Sequence, residues 1–177
     1  MAGINVNDTI DHPRELVFTT FRDDLDDLDE FLPDIKSITT ESREERDEDT
    51  THVVRIWKAR DEEIPSLAKK FIKPEMLQWT DRATWNEDEW TCEWEIEVGF
   101  LSDAITSKGV NHYHDRDGST EIVIEGTLEV DAKKIPGVPG MLAGRVGKAV
   151  ENFVVKMITP NLKDVNRGLE RYLAAQE

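Results

Sequence analysis

The strongest constraint on the fold is a strict alternation of apolar and polar residues in two segments, "WTCEWEIEV" and "EIVIEGTLEV". One side of the first segment is apolar and is formed by Trp90, Cys92, Trp94, Ile96 and Val98. The corresponding side of the second segment is formed by Ile122, Ile124, Gly126, Leu128 and Val130. Because successive side chains of a strand point to opposite faces, the pattern predicts antiparallel strands with one buried and one solvated face.

Weaker alternation and turn residues extend this sheet along the chain. We predict about six strands between Ile35 and Asp131, and a further strand at "GINVNDTI" near the start. Two short helices follow the first strand, the second of them within "DDLDDLDEFLPD". The segment between Pro65 and Pro74 is predicted to be a short helix or loop that gates one opening of the sheet.

The last segment, from about Val138 to Ala175, has the longest helical periodicity in the chain. Its first apolar stripe is formed by Leu142, Val146, Ala149, Val150, Phe153 and Met157. Pro160 lies where a second, rotated stripe begins, and we expect a kink or break there because proline removes a backbone hydrogen bond. A long amphipathic helix can cover the concave face of a curved sheet. The predicted class is therefore α+β, with about seven antiparallel strands wrapped around a long C-terminal helix.

This order of elements resembles the helix-grip fold of the START and birch-pollen-allergen-like superfamily, with residues 1–177 forming one domain. "EEIPSLAKKFI", the strand that contains Trp85, and "STEIVIEGTLEVDAKKIPGVPG" are similar to a bacterial domain-of-unknown-function family in that superfamily. "RIWKARDEEIPSLAKKFIKPEM" is more faintly similar to PRELI-like lipid-transfer proteins. The resemblance implies a cavity for an apolar or amphipathic ligand such as a lipid, isoprenoid or polyketide, and it carries over no catalytic residue.

The composition is strongly acidic, with 22 Lys and Arg residues against 38 Asp and Glu residues and a formal net charge of -16. Such a surface repels phosphate backbones and anionic membranes, so we expect no nucleic-acid partner and no stable membrane insertion. No apolar run approaches the roughly 18 residues that a membrane span needs. The single cysteine and an N-terminal segment without a basic start or an apolar run predict a cytoplasmic location.

The stretch "GVPGMLAGRVGKAVENF" looks like a phosphate-binding loop but does not have its spacing. That motif requires glycine five positions before Gly147, where Leu142 stands, and Ser or Thr after Lys148, where Ala149 stands. We interpret the glycines of this stretch as a pliable hinge at the entry of the long helix.

Other residues with possible chemistry have plainer interpretations. His112 and His114 have the spacing of metal ligands, but a third ligand at His12 or His52 depends on the fold, and a polar strand end is favoured. Cys92 lies on an apolar strand face, which disfavours the thiolate, so a structural role is favoured. We expect no catalytic residue, no bound metal and no cofactor.

The favoured function is binding of a hydrophobic or amphipathic small molecule or lipid, for transport or sensing, between the sheet and the C-terminal helix. The candidate apolar walls are Trp94, Ile96, Ile122, Ile124, Leu128, Phe153 and Met157. Arg55 and Arg82 are candidates for binding an anionic head group if they point inward, although an outward surface charge is favoured for both.

Two alternatives stay open. A cyclase or hydratase-type enzyme would use the same cavity and would need inward polar groups, for instance Arg55, Arg82, Asp81 or the histidine pair. A protein-interaction module would instead expose an apolar patch.

Overall fold

A curved antiparallel sheet is the main element of the computed structural model, which describes residues 2–60, 73, 77–99 and 102–177, without the side chains of residues 156–161. The strands in the described residues are β1 (Ala2–Ile10), β2 (Ile35–Glu45), β3 (Thr50–Ala59), β4 (Gln78–Asn86), β5 (Thr91–Glu97), β6 (Ile105–Arg116) and β7 (Ser119–Val130). Their order across the sheet is β1-β7-β6-β5-β4-β3-β2, and every neighbouring pair is antiparallel. The predicted α+β class and the seven strands are confirmed.

Helices lie at both ends of the chain. Between β1 and β2 the chain forms α1 (Arg14–Asp23) and a 3-10 helix (Leu25–Phe31), and after β7 it forms α2 (Ala143–Gln176). The predicted second helix is thus a 3-10 helix, which buries Leu25 and Leu28. The predicted segment between Pro65 and Pro74 lies outside the described residues, apart from Lys73.

The long helix differs in two ways from its prediction. It begins at Ala143 rather than near Val138, because the 3-10 helix Gly140–Leu142 precedes it. It also passes through position 160 as one continuous element, so the predicted break is wrong, whereas the kink stays a prediction. A Cβ atom at Gly147 would lie 3.2 Å from that of Ala132, so this glycine allows close packing beneath α2. The hinge role stays a prediction.

The core forms where α1 packs on the inner face of the sheet. Phe18 is fully buried and makes edge-to-face contacts with Trp85, Trp90 and Tyr113 at ring-centroid distances of 5.2, 5.2 and 5.3 Å. Trp90 was predicted on the apolar side of a strand, but it lies in the turn before β5 with a φ of 56°. Its ring still reaches Phe18, so the turn contributes an aromatic side chain to the core.

Two glycines make room for an indole on the sheet. Gly109 on β6 is paired with both Trp94 on β5 and Gly126 on β7. A Cβ atom would lie 2.5 Å from Trp94 Cζ2 at Gly109 and 3.0 Å from Trp94 Cη2 at Gly126. The carbonyl oxygen of Glu125 lies closer still to the position at Gly109, and that of Lys108 lies 2.7 Å from the position at Gly126. The indole and the neighbouring backbone together leave no space for a side chain, which explains glycine within two alternating strands.

The second half of α2 is anchored to β1. Arg167 Nη2 lies 2.6 Å from Asp8 Oδ2, and Asn166 Nδ2 donates to the same oxygen at 3.0 Å. Burial raises the pKa of Asp8, but these two donors, the backbone N–H of Thr9 and the charge of Arg167 together outweigh it and leave that pKa below its ordinary value. The helix is thereby fixed over the inner face of the sheet.

Candidate functional site

A cavity of about 170 Å³ lies between the inner face of the sheet and the helices that cover it. Strands β2 to β7 supply one wall, α1 and the 3-10 helix contribute Phe21 and Leu25, and α2 contributes Leu162, Val165 and Asn166. The larger aromatic residues of the wall are Trp57, Trp79, Trp85, Trp94 and Tyr113. Most of the remaining lining is aliphatic, so the cavity is an apolar, aromatic enclosure.

Strand register brings the tryptophans together. Trp57 on β3 and Trp79 on β4 are direct cross-strand partners, and their rings stack at a centroid distance of 5.7 Å with an interplanar angle of 17°. Further along the sheet, Trp94 Nε1 donates to Asn111 Oδ1 at 2.8 Å. This hydrogen bond fixes one indole, and stacking holds the other two.

Asp81 is a carboxylate on this aromatic wall. It occupies the inner face of β4 between Trp79 and Ala83, opposite Arg55 on β3. Burial raises the pKa of Asp81 to about 6, although the charge of Arg55 and the indole of Trp57 lower it. The residue keeps some accessible surface because it lines the cavity. Its carboxyl group therefore titrates near neutral pH inside an apolar site, an arrangement typical of functional carboxylates.

Three buried polar atoms at the cavity lack hydrogen-bond partners among the described residues. They are Asp81 Oδ1, Trp57 Nε1 and Trp85 Nε1, and all three residues line the cavity. The Trp57 indole N–H is close enough to lower the pKa of Asp81, but its geometry falls short of a hydrogen bond. Unsatisfied buried polar groups are uncommon in folded proteins, so three at one cavity indicate a site that can accept a polar ligand group.

The two arginine candidates lie on opposite faces of the sheet. Arg55 is 3% exposed, so its interpretation as a surface charge is wrong, but it donates to Asp26 Oδ1 at 3.0 Å and to Thr40 Oγ1 at 3.1 Å. It does not line the cavity. Arg82 is exposed on the outer face, where Nη2 lies 3.3 Å from Glu97 Oε2. Arg82 therefore has the outward orientation that the sequence analysis favours, because strand alternation turns its side chain away from the cavity.

The residues predicted to form the apolar walls fall into three groups in the structure. Trp94, Ile96, Ile122 and Ile124 line the cavity. Leu128 and Phe153 do not line it: Leu128 is fully buried on β7, paired with Ala2 of β1, and Phe153 packs against the core from α2. Met157 lies outside the described side chains. Contact between any of these residues and a ligand stays a prediction.

Sequence reasoning missed the polar part of the lining. Ser107, Asn111 and Tyr113 line the cavity from β6, and Asn166 lines it from α2. Ile105 is buried at the start of β6, and counting alternate residues from it would have placed the first three on the inner face.

The remaining candidates lie on the outer face of the sheet or have low chemical reactivity. His112 and His114 stack on the outer face with ring centroids 6.1 Å apart, and His112 Nε2 lies 3.7 Å from Glu125 Oε2. Cys92 is buried in the cavity wall, where burial and the nearby charge of Asp81 raise the pKa of its thiol well above the ordinary value. A thiol in that environment is a poor nucleophile.

A curved sheet gripped by a long helix, with an aromatic cavity between them, defines a helix-grip protein. The chain belongs to the family described as "Protein of unknown function (DUF2505)", whose family model matches residues 5–172. This membership confirms the resemblance to a domain-of-unknown-function family.

Solved structures share this fold. TTHA0849 from Thermus thermophilus is 17% identical, with a TM-score of 0.67 over 99% of this chain and 100% of that one. The Zhui aromatase/cyclase from Streptomyces sp. R1128 is 14% identical, with a TM-score of 0.62 over 97% and 95%. Ara h 8.0201 is 14% identical, with a TM-score of 0.58 over 98% of both chains. No curated protein matches the sequence. None of the helices in the described residues is long and apolar enough to cross a membrane.

Proposed function

We propose that the chain, as one domain, binds a hydrophobic or amphipathic small molecule in the cavity between the sheet and α2. The observation that carries this proposal is the coincidence of an aromatic cavity with three buried polar atoms that lack partners, on Asp81, Trp57 and Trp85. An apolar enclosure with a few polar groups is the usual form of a small-molecule site. A cavity of about 150 Å³ with apolar walls can hold benzene, so about 170 Å³ suits one aromatic ring or a compact aliphatic group.

The net charge of -16 repels polyanions and so supports a binding protein without a nucleic-acid partner. The single cysteine is consistent with the proposed cytoplasmic location. An interaction module is less well supported, since Leu16 and Met141 are the exposed large apolar side chains in the described part of the chain. Two isolated side chains do not make a docking patch.

Native mass spectrometry of gently purified protein tests the proposal, together with two matched variants. Ile124→Phe adds volume inside the cavity, whereas Val123→Phe adds the same ring type on the opposite face of β7. We expect a co-purifying mass, or binding of a neutral single-ring probe such as phenol, in the wild type and in Val123→Phe, with loss in Ile124→Phe. A bare chain that binds no such probe, or equal binding by both variants, would overturn the proposal.

A second candidate is an enzyme of the cyclase or hydratase type, which Asp81 favours. A carboxyl group with a pKa of about 6 can both accept and donate a proton near neutral pH, as general acid–base catalysis requires. One solved relative of the same fold is described as an aromatase/cyclase. Exchange of the acidic C–H protons of a bound 1,3-diketone with deuterated water tests this candidate. Catalysed exchange by the wild type and its loss in Asp81→Asn, with ligand still bound, would support an enzyme.

A further inference from the structure

The charge on the described part of the cavity wall is negative. Asp81 is the carboxylate of the wall, and the described lining contains no lysine, arginine or histidine. Burial raises the pKa of both Cys92 and Tyr113 well above their ordinary values, so both side chains are neutral at physiological pH. A buried anionic head group would find no cationic partner on the described wall, whereas a cation would find an anionic one.

Arg55 does not fully compensate the negative charge of Asp81. Its guanidinium lies opposite Asp81 across the β3–β4 pair, but its Nε donates to Asp26 and to Thr40, and its Nη2 donates to the carbonyl oxygen of Arg22. The hydrogen bonds of Arg55 are therefore made to other groups, among them Asp26, whose side chain is 37% exposed, and none of the described residues donates a hydrogen bond to Asp81 Oδ1. A buried charge that is incompletely paired is costly unless a further partner compensates it.

The aromatic wall also favours a cation. The faces of indole rings carry negative electrostatic potential and attract ammonium groups, most strongly where water is excluded. Trp57 and Trp79 stack beside Asp81, and Trp94 lies further along the same face of the sheet. The net charge of -16 adds long-range attraction for cations and repulsion of anions.

We propose that the ligand of this cavity carries an organic ammonium group, held by the carboxylate of Asp81 beside the stacked Trp57 and Trp79. Its apolar body would contact Trp94 and Ile124 on the same wall. This inference rests on the proposed function and adds the charge of the ligand to it.

Three probes with one phenyl ring and different head groups test the inference by isothermal titration calorimetry at pH 7.5. They are 2-phenylethylamine, 2-phenylethanol and 3-phenylpropionate, which are cationic, neutral and anionic. We expect the amine to bind about tenfold or more tightly than the other two, the effect of a desolvated cation on aromatic faces and a carboxylate. Tighter or equal binding of the alcohol or the carboxylate would overturn the inference while leaving the cavity function intact. Absence of binding by all three would overturn both.

Two variants test whether Asp81 causes the preference for the amine. Asp81→Asn keeps the shape of the side chain and removes its charge, and it should abolish the preference for the amine without weakening the alcohol. Glu93→Gln removes one negative charge from the exposed face of the adjacent strand β5 and should leave the preference unchanged. Equal effects of both variants, or a preference that survives Asp81→Asn, would overturn the role of Asp81.

A pH series on the wild type keeps the test decisive if Asp81→Asn fails to fold. Amine affinity should fall severalfold between pH 7.5 and pH 5, because Asp81 becomes protonated through its pKa of about 6 while the amine stays charged. The other titratable groups around Asp81 are Arg55 with its partner Asp26, Cys92 and Tyr113. Neither Cys92 nor Tyr113 ionises in this range, and α2 faces the cavity with the neutral Asn166. Amine affinity that does not change with pH would contradict the inference.

Discussion

Replacement of Asp81 by asparagine should make the protein more stable at neutral pH. The carboxyl group is ionised there inside an apolar wall, and burial is the main reason that its pKa rises from 3.8 to about 6. One pKa unit is worth about 1.36 kcal/mol, so the ionised group costs the folded state about 3 kcal/mol. Asparagine resembles the neutral acid in shape and avoids this cost.

The pH dependence has a definite sign. Because the folded-state pKa is above the unfolded one, the contribution of Asp81 to stability is complete below about pH 3.8 and is lost as the pH rises through about 6. The variant should therefore gain up to about 3 kcal/mol over the wild type at pH 7.5 and less than about 1 kcal/mol at pH 4. Other carboxyl groups titrate in the same range, but they do so in both proteins and cancel in the difference.

Urea unfolding of both proteins at the two pH values measures this difference. Glu93→Gln is the control, since its exposed carboxylate should change the free energy of unfolding by less than about 0.5 kcal/mol. A less stable Asp81→Asn protein at pH 7.5 would refute the reasoning and would make Asp81 a structural partner of Arg55. The same gain at both pH values would refute the assignment of the cost to ionisation.

Three further changes probe the packing around the site. Gly109→Ala should lower the free energy of unfolding by about 1–3 kcal/mol in urea unfolding, because the new methyl group clashes with the carbonyl oxygen of Glu125 and with the indole of Trp94. Gly3→Ala, with open space around it, should change that free energy by less than about 0.5 kcal/mol. Arg55→Met should cost about 2 kcal/mol or more in the same assay because it removes a buried guanidinium together with its ion pair to Asp26 and its charge beside Asp81. Arg82→Met, at an exposed ion pair, should cost less than about 1 kcal/mol. The thiol of Cys92 should react with Ellman's reagent only after unfolding, and rapid reaction of the native protein would contradict its burial.

The sheet was predictable from sequence because alternation is a local property. Residues such as Ile122 and Ile124 reveal the inner face of their strand without knowledge of its neighbours. The stacking of Trp57 on Trp79 depends on the register between two strands, which alternation alone does not fix.

The charged residues were harder to place for a different reason. Arg55 has the same parity as Val53 and Trp57, but its partner Asp26 lies on the 3-10 helix, far away in sequence, so nothing local indicated that a buried arginine would be satisfied. Asp81 breaks the apolar pattern of β4 in the same way. Local patterns tend to fail at functional sites, because those sites keep polar groups where packing alone would place apolar ones.

The stacked Trp57 and Trp79 also give the molecule an optical signature. Two indoles at a centroid distance of 5.7 Å are close enough to couple their electronic transitions, and we expect a paired positive and negative band in the circular dichroism spectrum. Because both rings line the cavity, a molecule that enters it and tilts either ring changes the strength of that coupling. Occupancy of the cavity can then be followed by light absorption alone, in the unmodified protein and without a label on the ligand.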